Sequence, residues 1–235
     1  MTGGRVRVGT SGWSYRGWIG PFYAQGTPTA RMLTAYADAG LDTVEAHSTY
    51  RRRPTETALT AWASAVPESF RFAPKAHAAI THQRDLAGVE DRVQEFFAAL
   101  SPLGMRCGPV LFALPHRHVD LERLDKLLAA LPDGARAAFE LSPEWREPDV
   151  VERLEGHGAT LVTVDRDDAL ATPPSANFPF AYVRLRRDRY STAEIEAWAN
   201  RLRELAAGGD VYAFVRHDDA GDAPRWAQTL REQTL

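Results

Sequence analysis

Eight short runs rich in β-branched and aromatic residues recur along the chain: Arg5–Val8, Thr43–Ala46, Phe70–Ala73, Val110–Leu114, Ala137–Leu141, Thr160–Val164, Ala181–Leu185 and Val211–Val215. Each is too short for a helix, so each is expected to be a β-strand. Most are separated by stretches of helical periodicity, which predicts parallel strands joined by crossover helices rather than hairpins. Asp120 precedes Leu121, Leu124, Leu128 and Leu131 on one helical face, marking a capped helix between strands four and five. Ser191-Thr192-Ala193-Glu194 reads as a capping box, followed by Ile195, Trp198, Leu202 and Leu205 and stopped by Gly208-Gly209. The first helix is marked by Thr27 as N-cap, Pro28 at its first position and Gly40 just past its end. Between strands six and seven, Arg166–Pro179 contains Thr172-Pro173-Pro174, and an irregular or single-turn connection is expected there.

Eight strands and about seven helices joined by short loops fit a single (β/α)8 TIM-type barrel spanning residues 1–235. An open doubly wound sheet is the competing topology. It calls for a G-x-G-x-x-G turn after a strand, which Gly9-Thr10-Ser11-Gly12-Trp13 does not supply. With 44% hydrophobic residues, the chain can bury one substantial core. The balance of 28 Lys+Arg against 31 Asp+Glu removes any global pull toward nucleic acid or an anionic membrane, so such a preference would have to be local. Cys107 is the only cysteine, which rules out an internal disulfide. The beginning MTGGRVRVGT lacks the apolar run of a secretory signal, and no stretch approaches ~18 uninterrupted apolar residues. A cytoplasmic protein with no membrane partner is expected.

Parallel barrels place function where strands end, and the polar residues at those ends are unusually charged. Glu45 ends strand two, Lys75 follows strand three, Glu140 lies in strand five, Asp165 ends strand six, Arg184 lies in strand seven and Asp218 follows strand eight. Such side chains converging in one ring are costly to desolvate singly, so they must pair, bind a metal or meet a polar ligand. The competing expectation is a structural salt-bridge network around Lys75 and Arg184. Basic runs Arg51-Arg52-Arg53 and Arg184–Arg189 flank the same end, beside Trp13, Tyr15, Trp18, Phe22, Tyr23 and Tyr50. Trp13, Tyr15, Trp18, Arg52, Arg184 and Arg186 are therefore candidate binding residues for a nucleotide, a nucleic-acid strand or a phosphorylated sugar. The aromatics can alternatively plug the barrel top, with the arginines solvated. Six histidines lie near strand ends: His47, His77, His82, His116, His118 and His217. For a divalent metal the candidate ligands are Glu45, His47, Glu140, Asp165 and His217, although their spacing matches no ligand motif.

Along almost its whole length the sequence resembles the DUF72 or YecE-like family of TIM barrels, whose activity is largely undefined. The resemblance rests on Val8-Gly9-Thr10-Ser11-Gly12-Trp13-Ser14-Tyr15 with Trp18 and Phe22-Tyr23, then Asp42-Thr43-Val44-Glu45 and Phe70-Arg71-Phe72-Ala73-Pro74-Lys75. It continues through Gly108-Pro109-Val110-Leu111-Phe112, Phe139-Glu140, Tyr182-Val183-Arg184-Leu185 and Asp218 with Gly221 and Ala223-Pro224. The resemblance implies the barrel. At the mouth this chain departs from the family pattern: amides give way to His47, Ser48, Ala113, Arg216 and His217, an aromatic to Arg51, an Arg-His pair to Ser142, and a histidine and glycine to Arg186 and Arg187. The added arginines favour a more anionic ligand.

Three functions follow as expectations. The first is an enzyme acting on a phosphate-bearing or nucleic-acid-like substrate, with Glu45, Lys75, Glu140 and Asp218 as catalytic groups and metal-dependent hydrolysis as one form. Against the metal form, Lys75 would crowd a metal centre. The second is a Schiff-base lysine enzyme on a carbonyl substrate, using Lys75. The third is a non-catalytic module that binds a nucleotide or single strand.

Overall fold

Strict alternation of side chains sorts each strand into an outer face that meets helices and an inner face that fills the ring. In the computed structural model, which describes residues 3–82, 86–115, 120–145, 147–166 and 178–235, this alternation builds a parallel (β/α)8 barrel. The strands are β1 (Val6–Ser11), β2 (Thr43–Ala46), β3 (Arg71–Pro74), β4 (Val110–Ala113), β5 (Ala137–Glu140), β6 (Thr160–Leu161), β7 (Thr163–Asp165), β8 (Phe180–Leu185) and β9 (Asp210–Val215). β6 and β7 are two halves of the sixth barrel strand, separated at Val162, whose N–H donates to the Phe139 carbonyl at 2.9 Å.

All the ladders are parallel and leave two sheets, β3-β2-β1-β9-β8-β7 and β4-β5-β6. An isolated parallel bridge between Lys75 and Leu111 joins them on one side, with the Ala76 N–H donating to the Leu111 carbonyl at 2.8 Å. On the other side the chain passes directly from β6 to β7. Neighbouring strands therefore follow sequence order around the ring, although the hydrogen-bond ladder is interrupted at these two joints.

Around the ring lie α1 (Thr29–Asp38), α2 (Ser48–Arg51), α3 (Glu56–Ser64), α4 (Ala78–Thr81), α5 (Val89–Ala99), α6 (Leu121–Ala129), α7 (Pro148–Gly156), α8 (Thr192–Ala206) and α9 (Asp222–Gln233). The outer core takes Val44, Phe72, Phe139, Val183 and Val211 from the strands, together with helix residues such as Leu124, Leu128, Ile195 and Leu202. Inside the ring is a second cluster: Ala73, Leu111, Ala138, Val162, Val164, Phe180, Tyr182, Tyr212 and Phe214. The next inward positions toward the C-terminal strand ends are Glu45, Lys75, Glu140 and Arg184, so the same alternation that fills the core delivers charge to the mouth. No helix among the described residues is long and apolar enough to cross a membrane.

The Asp120 cap and the Ser191–Glu194 capping box form as their sequences predict. Thr27 does not cap the first helix. Pro28 occupies that place, and the Thr27 hydroxyl instead donates to the Ala24 carbonyl at 2.7 Å, because the chain turns one residue later than expected. Strand one runs on to Ser11, well past Val8, since both its edges are paired. The irregular connection expected around Thr172-Pro173-Pro174 lies outside the described residues.

The mouth depends on a tight joint between β1 and β2. A Cβ on Gly9 would lie 1.9 Å from the Thr43 carbonyl oxygen and 2.9 Å from the Tyr36 hydroxyl. The first of these is backbone and cannot swing away. Gly9→Ala is expected to lower stability by about 3 kcal/mol, read as a fall in the urea midpoint with unchanged slope; an unshifted midpoint would show that the joint can relax.

Candidate functional site

Glu45 sits at the end of β2, fully buried. Its Oε1 accepts from Ser11 Oγ at 3.1 Å, Arg184 Nη2 at 2.7 Å and Arg186 Nη2 at 3.3 Å, and is also in contact with His47 Nε2. Its Oε2 accepts from the Tyr182 hydroxyl at 2.8 Å. The Arg184 guanidinium, buried with it, reaches through Nη1 to Glu140 Oε2, while Glu140 Oε1 accepts from Arg166 Nη2 at 3.1 Å. One arginine from β8 thus ties carboxylates of β2 and β5 together. Burial alone pushes the Glu45 carboxyl up, but Arg184, and after it His47, reverse that and hold it at about 2. Burial also pushes the Tyr182 hydroxyl upward, and the Glu45 charge adds to it, so Tyr182 remains a donor.

Lys75 follows β3 on the same inward face. Its Nζ lies 4.4 Å from the centroid of the Tyr50 ring, and no carboxylate among the described residues comes within ion-pair distance of it. Burial lowers its pKa, Arg184 lowers it further, and Glu45 and Glu140 oppose the shift without cancelling it. The Tyr50 hydroxyl in turn meets exposed His82 Nε2 at 3.2 Å. Among the described residues, the mouth therefore gathers Lys75, Arg166, Arg184 and Arg186 around the carboxylates of Glu45 and Glu140.

Other candidates serve the architecture. Asp165 is 1% exposed and accepts from Arg187 Nε at 3.0 Å and Nη2 at 2.8 Å, from the Tyr190 hydroxyl at 3.1 Å and from Trp198 Nε1 at 3.0 Å. Those four donors tie β7 to the loop before α8 and leave the carboxylate enclosed. The Asp218 carboxylate accepts backbone N–H groups of Gly221, Asp222 and Ala223, anchoring the start of α9 rather than joining the Glu45 cluster. Trp18 is fully buried, with Nε1 donating to the Asp218 carbonyl at 2.8 Å, and Trp13 packs edge-on against Trp62 with ring centroids 4.9 Å apart. Tyr15 stacks on His217 at 4.7 Å, and burial with the Glu45 charge pushes its hydroxyl up to about 12. Trp18 and Tyr23 thus plug the barrel top, with Phe22 packed partly buried against them.

Arg51 and Arg52 are exposed at the end of α2, and Arg53 pairs with Glu95 at 2.7 Å. His77 caps α4 by accepting from the Ala79 N–H, whereas His116 and His118 lie outside the described residues. Burial pushes the Cys107 thiol up to about 11, which disfavours the thiolate. Beside the mouth, a depression of about 270 Å³ is lined by Arg187, Arg216, His217, Asp219 and Trp226, among others.

Among the described residues, no three His, Cys, Asp or Glu side chains come together as a metal site. The donor set of Glu45, His47 and Glu140 does not suit a cation as arranged, because Arg184 occupies the space between the carboxylates. Ser11, Arg166 and Tyr182 belong to the site but are not among the residues that the sequence pattern marks there, whereas Tyr50 is one of the aromatics it places at this end. Tyr182 lies two residues before Arg184 and so shares its inward face, a signal that could have found it. Ser11 lies beyond Val8, where the apolar pattern ends strand one, and so carries no such signal.

A (β/α)8 barrel with a charged mouth is the class these features define. The family model described as "Protein of unknown function DUF72" matches residues 7–235. The chain belongs to the DUF72 family. It is similar to the UPF0759 protein YecE of Escherichia coli K12, 28% identical over 97% of this chain and 92% of that protein. A DUF72 family protein from Thermotoga maritima superposes with a TM-score of 0.83 at 24% identity, covering 97% of this chain and 98% of the other. One from Enterococcus faecalis does so with 0.80 at 19% identity, covering 98% and 95%.

Arg184→Met strands two carboxylates in the ring and is expected to cost about 3–5 kcal/mol by chemical denaturation; a loss below about 1 kcal/mol would show that Arg184 is not the tie described. Glu45 has a folded pKa of about 2 against an ordinary 4.5, so its stabilisation is complete above pH 4.5 and is lost as pH falls toward 2. Denaturation across that window should show the loss in the wild type and a flatter profile in Glu45→Gln.

Proposed function

We propose that this chain is an enzyme that binds a phosphate-bearing small molecule at the C-terminal mouth of its barrel. The observation that carries this reading is the surplus of cations there: Lys75 has no carboxylate partner among the described residues, while Arg166, Arg184 and Arg186 already share Glu45 and Glu140. A di-anion completes that charge balance. Phosphate oxygens also suit the planar donor fork of a guanidinium, which Arg186 presents at the edge of the cluster.

The two carboxylates take different roles. Glu45 has no exposed side-chain surface and positions Arg184 and Tyr182, whereas the Glu140 side chain is 14% exposed and can meet a substrate as acid or base. Arg52, exposed on α2, extends the cationic rim. A small molecule is favoured over a nucleic-acid strand because Trp18 is fully buried and partly buried Trp13 packs edge-on against Trp62. Metal-assisted hydrolysis would require displacement of Arg184 from between the carboxylates.

Calorimetric titration with glycerol 3-phosphate, with glycerol as control, tests the reading. Binding of the phosphate ester alone is expected, weakening as sodium chloride is raised. Arg186→Ala should reduce the affinity about tenfold, the worth of one charge-assisted hydrogen bond. No binding at millimolar ester in low salt would sink the proposal.

A further inference from the structure

The chain contains only two lysines, Lys75 and Lys126, among 28 Lys+Arg. Lys126 lies on α6 and pairs with Glu122 at 2.8 Å, as a surface lysine does. Arginine is this chain's ordinary cation, and it would hold a phosphate with better geometry and a permanent charge. It cannot, however, release its proton in a protein and supply a lone pair. A lysine at an inward position where no carboxylate among the described residues pairs with it therefore points to chemistry at the nitrogen.

We propose that Lys75 is a nucleophile that forms an imine with an aldehyde or ketone carbon of the bound phosphate-bearing molecule. The proposal rests on the anionic reading of the mouth and narrows the substrate to a phosphorylated carbonyl compound. Three features of the site support it. Arg184 engages both Glu45 and Glu140, the carboxylates that would otherwise hold the Lys75 ammonium charged. The ammonium rests instead on the Tyr50 ring face, 4.4 Å from its centroid, a weaker hold than an ion pair. Lys75 is partly exposed, so a carbonyl carbon can approach it from the mouth. Burial and the Arg184 charge, acting together, also ease loss of its proton.

In the reaction, the ammonium first gives up a proton to solvent or to Glu140. The freed nitrogen lone pair attacks the carbonyl carbon, a C–N bond forms, and the π pair moves to oxygen, which takes up a proton while the nitrogen releases its first, giving a neutral carbinolamine. The resulting carbinolamine loses its hydroxyl as water, helped by a proton from Glu140, while the nitrogen releases its second proton and C=N forms. Amine and carbonyl give imine and water, with no change in oxidation state. The phosphate, held by Arg186 and the rim, would keep the carbon beside Nζ.

The test is reductive trapping with dihydroxyacetone phosphate and sodium borohydride, followed by intact-mass measurement and peptide mapping, with glycerol 3-phosphate binding measured in parallel. One reduced adduct on Lys75 is expected, absent from Lys126 and the terminal amine, and absent from Lys75→Arg. Mapping of the wild-type adduct decides the matter even if that variant folds poorly. If both phosphate esters bind but no Lys75 adduct forms, the imine is overturned while the anion-binding reading stands. If neither ester binds and nothing is trapped, both fall. An adduct confined to Lys126 or the terminus also overturns the proposal.

Discussion

The mouth of this barrel is organised by one guanidinium held between two carboxylates contributed by different strands. Arg184 reaches from β8 to Glu45 on β2 and Glu140 on β5, and all three point into the ring. Any one of these charges buried alone would be unstable; together they satisfy each other, with Tyr182, Ser11, Arg186 and His47 also meeting the Glu45 oxygens. The arrangement is also directional. A fork pairs in its own plane, so fixing Arg184 fixes where both carboxylates face and how close the strands come at this end.

That constraint shapes the chemistry around it. Because Arg184 holds the acidic groups, Lys75 is left with an aromatic face, a nearby like charge and an opening to solvent. The same residues could be described as a structural salt-bridge network, and for Glu45 and Arg184 that description is sound. It fails for Lys75, whose charge the network does not neutralise. Stabilisation and reactivity are thus divided among neighbours on the same inward face.

The other basic residues of the mouth loops also take on definite roles. His47 and Arg186 both approach Glu45, and Arg187 bonds Asp165 and Glu194. Arg216 pairs with Asp188, and His217 stacks on Tyr15. Some of these arginines therefore enter the ring and others brace loops, a distinction that residue type alone cannot make. Asp165 and Asp218 make the same point from the acidic side: both end up serving the attachment of helices to the barrel.

The sequence by itself determined the barrel and the inward line of Glu45, Lys75, Glu140 and Arg184, because alternation along a strand is a local property that each short apolar run displays. It also determined the capped helices at Asp120 and Ser191, whose caps need only neighbours three residues away. Tertiary structure alone decided which charge meets which. Glu45 and Arg184 lie 139 positions apart and Tyr182 is 137 from Glu45, so their pairing follows from ring closure rather than from spacing. It decided too that Trp18 is buried, that Trp13 packs edge-on against Trp62, and that Lys75 meets no counter-ion among the described residues. Burial and partner choice are properties of the closed ring, where three-dimensional distance replaces distance along the chain.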